Sequence, residues 1–181
     1  QLETLIPSAL LENPMIGLEV AKRINTDYPE DRGKALAILD KLAAKCEPGS
    51  LAYFEVKELT AIVLSGKAIK NYLELGKALP VQVVQDLERA IALYTEAWNY
   101  YKINDLRETK WHVPANRGVA RKVLSQFVEA KRDFIESIHV KPTPFAHISL
   151  VALLAENNKP TLEAIDEIKK SLQLTSEQQQ K

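Results

Sequence analysis

The chain has 181 residues, 46% hydrophobic and 27% charged, a balance that suits one folded body and excludes disordered and fibrous classes. Lys plus Arg equals Asp plus Glu at 24 each, so no overall field draws the chain onto nucleic acid or an anionic membrane, and charge-driven binding has to be local. The lone Cys46 excludes an internal disulfide and a thiolate metal cluster and fits a reducing, cytoplasmic compartment. No uncharged run approaches the roughly 18 apolar residues of a membrane span. Residue 1 is Gln rather than Met, so the chain reads as a piece of something longer, and no basic-then-apolar leader opens it.

Apolar spacings of three and four recur along the chain and Gly is sparse, which predicts an all-α fold. Asn13 followed by Pro14 marks a helix start, because Asn can cap free amides and Pro is tolerated in a first turn; this helix runs to about Asn25. Tyr28-Pro29 forces an extended break. A second helix covers Glu30 to Cys46, with Ala35, Leu36, Ile38, Leu39, Leu42 and Ala43 on one side, and stops at Pro48-Gly49. Ser50 caps a third helix from Leu51 to about Ser65, Gly66 allows a turn or kink, and a fourth spans Lys67 to Leu79, so these two read as a pair. Between Val81 and Asn104, Val84, Leu87, Ile91, Tyr94, Trp98 and Tyr101 form a narrow apolar seam on one helix. Arg107 to Pro114 reads as an irregular linker. Helices follow near Ala115 to Ser125, Phe127 to His139, Pro144 to Glu156 and Thr161 to Leu174, before a frayed polar tail over 175–181.

The last third of the chain matches itself at an offset of 34 residues. Gly118 falls on Ala152, Glu129 on Glu163, Ala130 on Ala164, Phe134 on Ile168, Ser137 on Ser171 and Ile138 on Leu172. Small residues then sit where two helices of a hairpin approach closely, a large one fills the groove between them, and Pro142 ends the unit's second helix. On these residues the chain resembles the tetratricopeptide family, most clearly over 111–144 and 145–178. Ala90, Tyr94 and Ala97 supply an earlier, differently spaced copy, and Pro114 departs from the large residue usual inside the first helix. The resemblance implies antiparallel hairpins stacked as a solenoid in a single domain, 1–181. An irregular helical bundle is the alternative that the spacing alone leaves open.

Nothing in the sequence assembles a catalytic constellation, so the chain is read as a binding protein without a cofactor or metal and not as an enzyme. His112, His139 and His147 are scattered over different segments and read as surface or capping residues. Ser65-Gly66-Lys67 lacks the earlier Gly and the strand of a phosphate loop, and Cys46 reads as a buried structural thiol. Paired carboxylates such as Asp166-Glu167 fall on helix starts or exposed faces.

One asymmetry is electrical. Residues 1–101 hold 11 basic and 14 acidic side chains, whereas 102–141 hold 9 and 5. Lys102, Arg107, Lys110, Arg117, Arg121, Lys122, Lys131 and Arg132 compose the excess, which reads either as solvated helix faces or as a patch, with Arg117 and Arg121, four apart on one helical face, and the neighbouring Lys122 as the candidate contacts for an acidic partner. Tetratricopeptide domains that hold acidic chaperone tails use a clamp of Lys, Asn and Arg. Here His112 and Asn116 stand where the resemblance would want Lys and Arg, with Arg117 one place off, which speaks against that clamp and leaves an acidic peptide open. The function expected is a protein–protein interaction module taking a peptide or helix in a repeat groove, with Arg117, Arg121, Lys122, His112 and Asn116 as partner-binding residues. The alternative is a helical domain docking on anionic lipid, a phosphoinositide, through the basic 102–132 segment. Tyr100, Tyr101 and Trp111 beside the basic residues are read as seam aromatics, which gives nucleic acid little support.

Overall fold

The computed structural model describes residues 13–75, 79–156, 164, 166–170 and 173, and the described residues are helical with no strand. The expected tail at 175–181 and the repeat positions Glu163, Ser171 and Leu172 lie outside them. The sequence reading treats 1–181 as one domain; the contacts divide the chain into two compact units, 1–97 and 98–181.

In the first unit, helix α1 spans Pro14–Asp27. The Asn13 side chain accepts from the amides of Met15 at 3.0 Å and Ile16 at 3.4 Å, and Pro14 occupies the first turn, where its missing N–H has no partner to lose. A 3₁₀ turn at Pro29–Asp31 leads into α2, Arg32–Ala43. Gly49 adopts φ 88°, a conformation that favours glycine, and the Ser50 hydroxyl accepts from the Tyr53 amide at 3.2 Å to cap α3, Leu51–Leu75. Helices α1, α2 and α3 pack on one another around Ala21, Ile24, Ala35, Leu39, Leu42, Val56 and Val63. Full burial of a Leu or Val contributes about 1.5–3 kcal/mol. Cys46 is buried beside this core as a free thiol, and burial pushes its pKa up, as a structural thiol requires.

One expectation is overturned here. The helix break expected at Gly66 is absent, because α3 runs unbroken from Leu51 to Leu75; residues 76–78 of the expected fourth helix lie outside the described residues. A single glycine inside a helix costs only about 1 kcal/mol, less than a turn would lose by giving up successive helical hydrogen bonds. The hydroxyl of Ser65, on the same helix, lies 3.1 Å from the Tyr94 hydroxyl of the next helix. That helix, α4, spans Val81–Ile103 and crosses the boundary between the two units.

In the second unit the chain leaves α4 through Asp105 at φ 55°, while the Leu106 amide reaches back to the Tyr101 carbonyl at 2.9 Å. Helix α5 then covers His112–Val123, starting three residues before the expected Ala115. Pro114 sits in the first turn, whose amides lack intrahelical acceptors, so it does not delay the helix. Ser125, at φ 60°, closes α5: its own amide and that of Gln126 return to the carbonyls of Lys122 and Arg121, and α6 begins at once over Phe127–Val140. Helix α7, Pro144–Glu156, packs on both α5 and α6. Ala130, Phe134, Leu150 and Leu153 form the apolar centre of this stack.

Candidate functional site

Helices α5 and α6 approach closely at Gly118. A methyl group there would stand 2.7 and 2.9 Å from two ring carbons of Phe134 and 3.1 Å from the Asp133 Cβ, so only a hydrogen fits. Phe134 is fully buried in the groove that this contact creates.

Beside Phe134 lies a charged cluster that joins the two helices. Arg117 donates through Nε to both Asp133 carboxylate oxygens at 3.1 Å and through Nη2 to Asp133 Oδ1 at 2.6 Å and Glu136 Oε2 at 3.4 Å. Arg121 Nη1 donates to Asp133 Oδ2 at 2.8 Å. The indole of Trp98 donates to Glu136 Oε1 at 2.8 Å, and Ser137 Oγ donates to the Trp111 carbonyl at 2.9 Å. Burial, with the nearby Glu136 charge, holds the Asp133 carboxyl above its ordinary value, and the hydrogen bonds and charges of Arg117 and the charge of Arg121 offset this only in part. Arg117 and Asp133 side chains are only 8% and 3% exposed, so the pair fixes how the helices meet and offers nothing to solvent.

This cluster decides what the sequence-predicted residues do. Arg117 and Arg121 are brought together, but on Asp133, inside the hairpin. Lys122 turns instead to Glu156 of α7 at 2.8 Å. His112 lies edge-on to Trp111 with ring centres 5.8 Å apart, and both His112 and Asn116 are half-buried. The charges of the three basic residues are thus matched within the unit.

The cleft of the second unit opens elsewhere. About 840 Å³ of open space lies between the end of α4, the loop leading to α5, and α6. Helix α6 contributes Arg132, Ile135, Glu136, His139 and Val140, spacings of three and four that place them on one face. Trp98 and Lys102 line it from α4, and Leu106, Arg107 and Glu108 from the loop. Lys102 approaches Glu136 at 3.8 Å and stands 6.0 Å over the Trp98 ring. Arg132 is exposed and has no ion pair or hydrogen bond among the described residues.

A second groove of about 450 Å³ is bounded by Ile135, Ile138, Pro142, Leu150 and Lys170, with His147 and Glu167 at its wall. His147 is 3% exposed and its Nδ1 meets Glu167, which also accepts from Lys170 at 2.6 Å. Burial pushes Glu167 up, but the hydrogen bonds of Lys170 and His147 outweigh it and hold the carboxyl below its ordinary value. Two sequence expectations are corrected here. His147 is buried and hydrogen-bonded to Glu167 rather than at the surface, because it stands three residues before the buried Leu150 on the inward face of α7. Of the neighbouring carboxylates, Asp166 is exposed but Glu167 is buried against His147.

Among the described residues no three His, Cys, Asp or Glu side chains gather as a metal site, and no helix is long and apolar enough to cross a membrane. No protein-family model, curated protein or solved structure matches the chain.

Proposed function

We propose that the second unit is a stack of tetratricopeptide-like hairpins whose work is to hold a segment of another protein, and not to transform a substrate. The close contact of Gly118 with Phe134 carries this reading. It puts the smallest residue and a large one at the positions where the 34-residue self-match wants a narrow helix crossing and a groove filler. Ala130 and Ala164, matched by the same offset, are both buried. Ile168, matched to Phe134, is 44% exposed and so departs from the fully buried groove filler. Such a stack presents shape and side chains along its surface, and the 840 Å³ cleft is large enough for several residues of a ligand.

The matched charges of Arg117, Arg121 and Lys122 remove much of the support for lipid docking, since these side chains spend their charge on Asp133 and Glu156. A reducing, cytoplasmic setting, in which buried Cys46 persists as a thiol, belongs to the same proposal. Selection of a displayed random-peptide library on the whole chain tests it. Enrichment of a shared motif whose synthetic peptide binds saturably is the expected result. Failure to enrich any motif, together with flotation of the chain on phosphoinositide vesicles, would replace the protein-binding reading with the lipid one.

A further inference from the structure

We propose that the cleft formed by the end of α4, the 104–111 loop and α6 receives an acidic segment of a partner protein. Its carboxylate is held by Arg132 and Lys102 and an adjacent apolar side chain rests on Leu106 and Ile135. This specifies the ligand of the protein-binding unit and rests on that reading.

The charge bookkeeping of the structure leads there. Residues 102–141 carry the basic excess of the chain, but the buried cluster uses Arg117 and Arg121 against Asp133 and Glu136, and Lys122 faces Glu156. Of the remaining basic side chains of this segment, Lys102, Arg107 and Arg132 line the cleft. Arg132 has no partner among the described residues, and a guanidinium left in that state is ready for a two-pronged bond to a carboxylate. Lys102 is held only at 3.8 Å by Glu136, whose oxygens already accept from the Trp98 indole and from Arg117, so its ammonium can turn to a ligand at little loss. Arg107 meets Asp105 at 3.5 Å, with the Asp105 side chain 92% exposed, a pairing that water weakens.

The apolar requirement comes from Leu106 and Ile135, both partly buried and both lining the cleft. Burying their remaining surface under an aliphatic or aromatic side chain supplies affinity, while the cations supply selection and steer the approach. Glu108 on the loop carries no partner among the described residues and disfavours a run of several acids. The ligand is therefore a segment with one carboxylate beside an apolar residue, not a polyacidic tract.

The test uses the whole chain and short fluorescein-labelled peptides in a Gly/Ser frame with a central Asp-Leu or Glu-Phe, against counterparts with Lys-Leu and Asn-Leu. Fluorescence anisotropy is expected to rank the acid–apolar peptides first and to show binding weakening as salt is raised. Arg132→Glu should weaken that binding about tenfold or more, Lys102→Gln by a smaller factor and Arg132→Lys by an intermediate one. Lys41→Glu, on α2 of the first unit, should leave it unchanged, and helical circular dichroism should be the same for all four variants. An acid preference untouched by Arg132→Glu, or no acid preference at all, overturns the assignment of the cleft while peptide binding itself stands. Absence of binding by every peptide class removes both. Arg132-dependent flotation on phosphatidylserine vesicles without peptide binding gives the cleft to a membrane and likewise overturns the proposal.

Discussion

Gly118→Ala separates a true close-packed hairpin from an ordinary helical position. At an unconstrained site in a helix interior, alanine in place of glycine stabilises by roughly 1 kcal/mol. Here the added methyl would meet Phe134 ring carbons at 2.7 and 2.9 Å, about 0.8 Å inside a normal carbon contact of roughly 3.5–4.0 Å. Phe134 is fully buried, and the backbone of α6 cannot retreat without stretching the bonds from Arg117 and Arg121 to Asp133. Overpacking of this kind costs about 1–3 kcal/mol, so after the helix gain the net loss is about 1 kcal/mol, and Gly118→Val loses more because the helix gain is smaller and the clash larger. Urea unfolding followed by tryptophan fluorescence reads this unit selectively, since both tryptophans, Trp98 and Trp111, lie within 98–181. In a Phe134→Leu background the penalty of Gly118→Ala should shrink, giving a coupling of about 1 kcal/mol. Stabilisation by Gly118→Ala in the parent chain would mean that the helices do not meet at this glycine.

Gly66→Ala should have the opposite sign and raise stability by about 0.5–1 kcal/mol, since its methyl meets only the flexible end of Arg32 at 3.3 Å; circular dichroism during urea unfolding checks it, and a loss would argue for a kink. Asp133→Ala should destabilise by about 3–5 kcal/mol by leaving Arg117 buried without its main partner, whereas Glu156→Gln at the half-exposed Lys122 pair should cost about 0.5 kcal/mol or less; similar losses for the two would contradict the buried cluster. Because Glu167 titrates below its ordinary 4.5 in the folded chain, the folded state binds fewer protons than the unfolded state as pH falls through 4.5. Its stabilisation is complete above that value and is lost as pH drops toward and through the folded one, so the urea midpoint should fall on acidification and Glu167→Gln should flatten that slope. An acid limb unchanged in Glu167→Gln would count against the His147 pair.

Local signals were legible to the extent that their physics is local. Asn13, Pro14 and Ser50 mark helix starts because a cap involves only neighbours along the chain, and the structure bears them out. Gly66 was ambiguous because glycine permits a turn and is also tolerated inside a helix, and what decides is packing against distant residues. The helix begins three residues before the expected Ala115 because Pro114 is tolerated within a first turn. The site was less legible. Arg117 and Arg121 look like a solvent-facing stripe when their own helix is read alone, and only Asp133, beside the core residue Phe134 on the next helix, shows that they point inward. A carboxylate next to a core aromatic on an otherwise apolar face was the available signal. The cleft had no such signal, since Trp98, Leu106 and Arg132 meet through the turn at Asp105 and the return of α6.

If the 98–181 unit holds a segment of another protein, as proposed, that segment binds at the cleft. Amide chemical-shift mapping of the isotope-labelled whole chain, titrated with a peptide enriched by display, tests it most directly. Saturable shifts concentrated at the end of α4, the 104–111 loop and the α6 face from Arg132 to Val140 are the predicted result. Shifts confined to residues 13–75, or spectra unchanged by every enriched peptide, would contradict it.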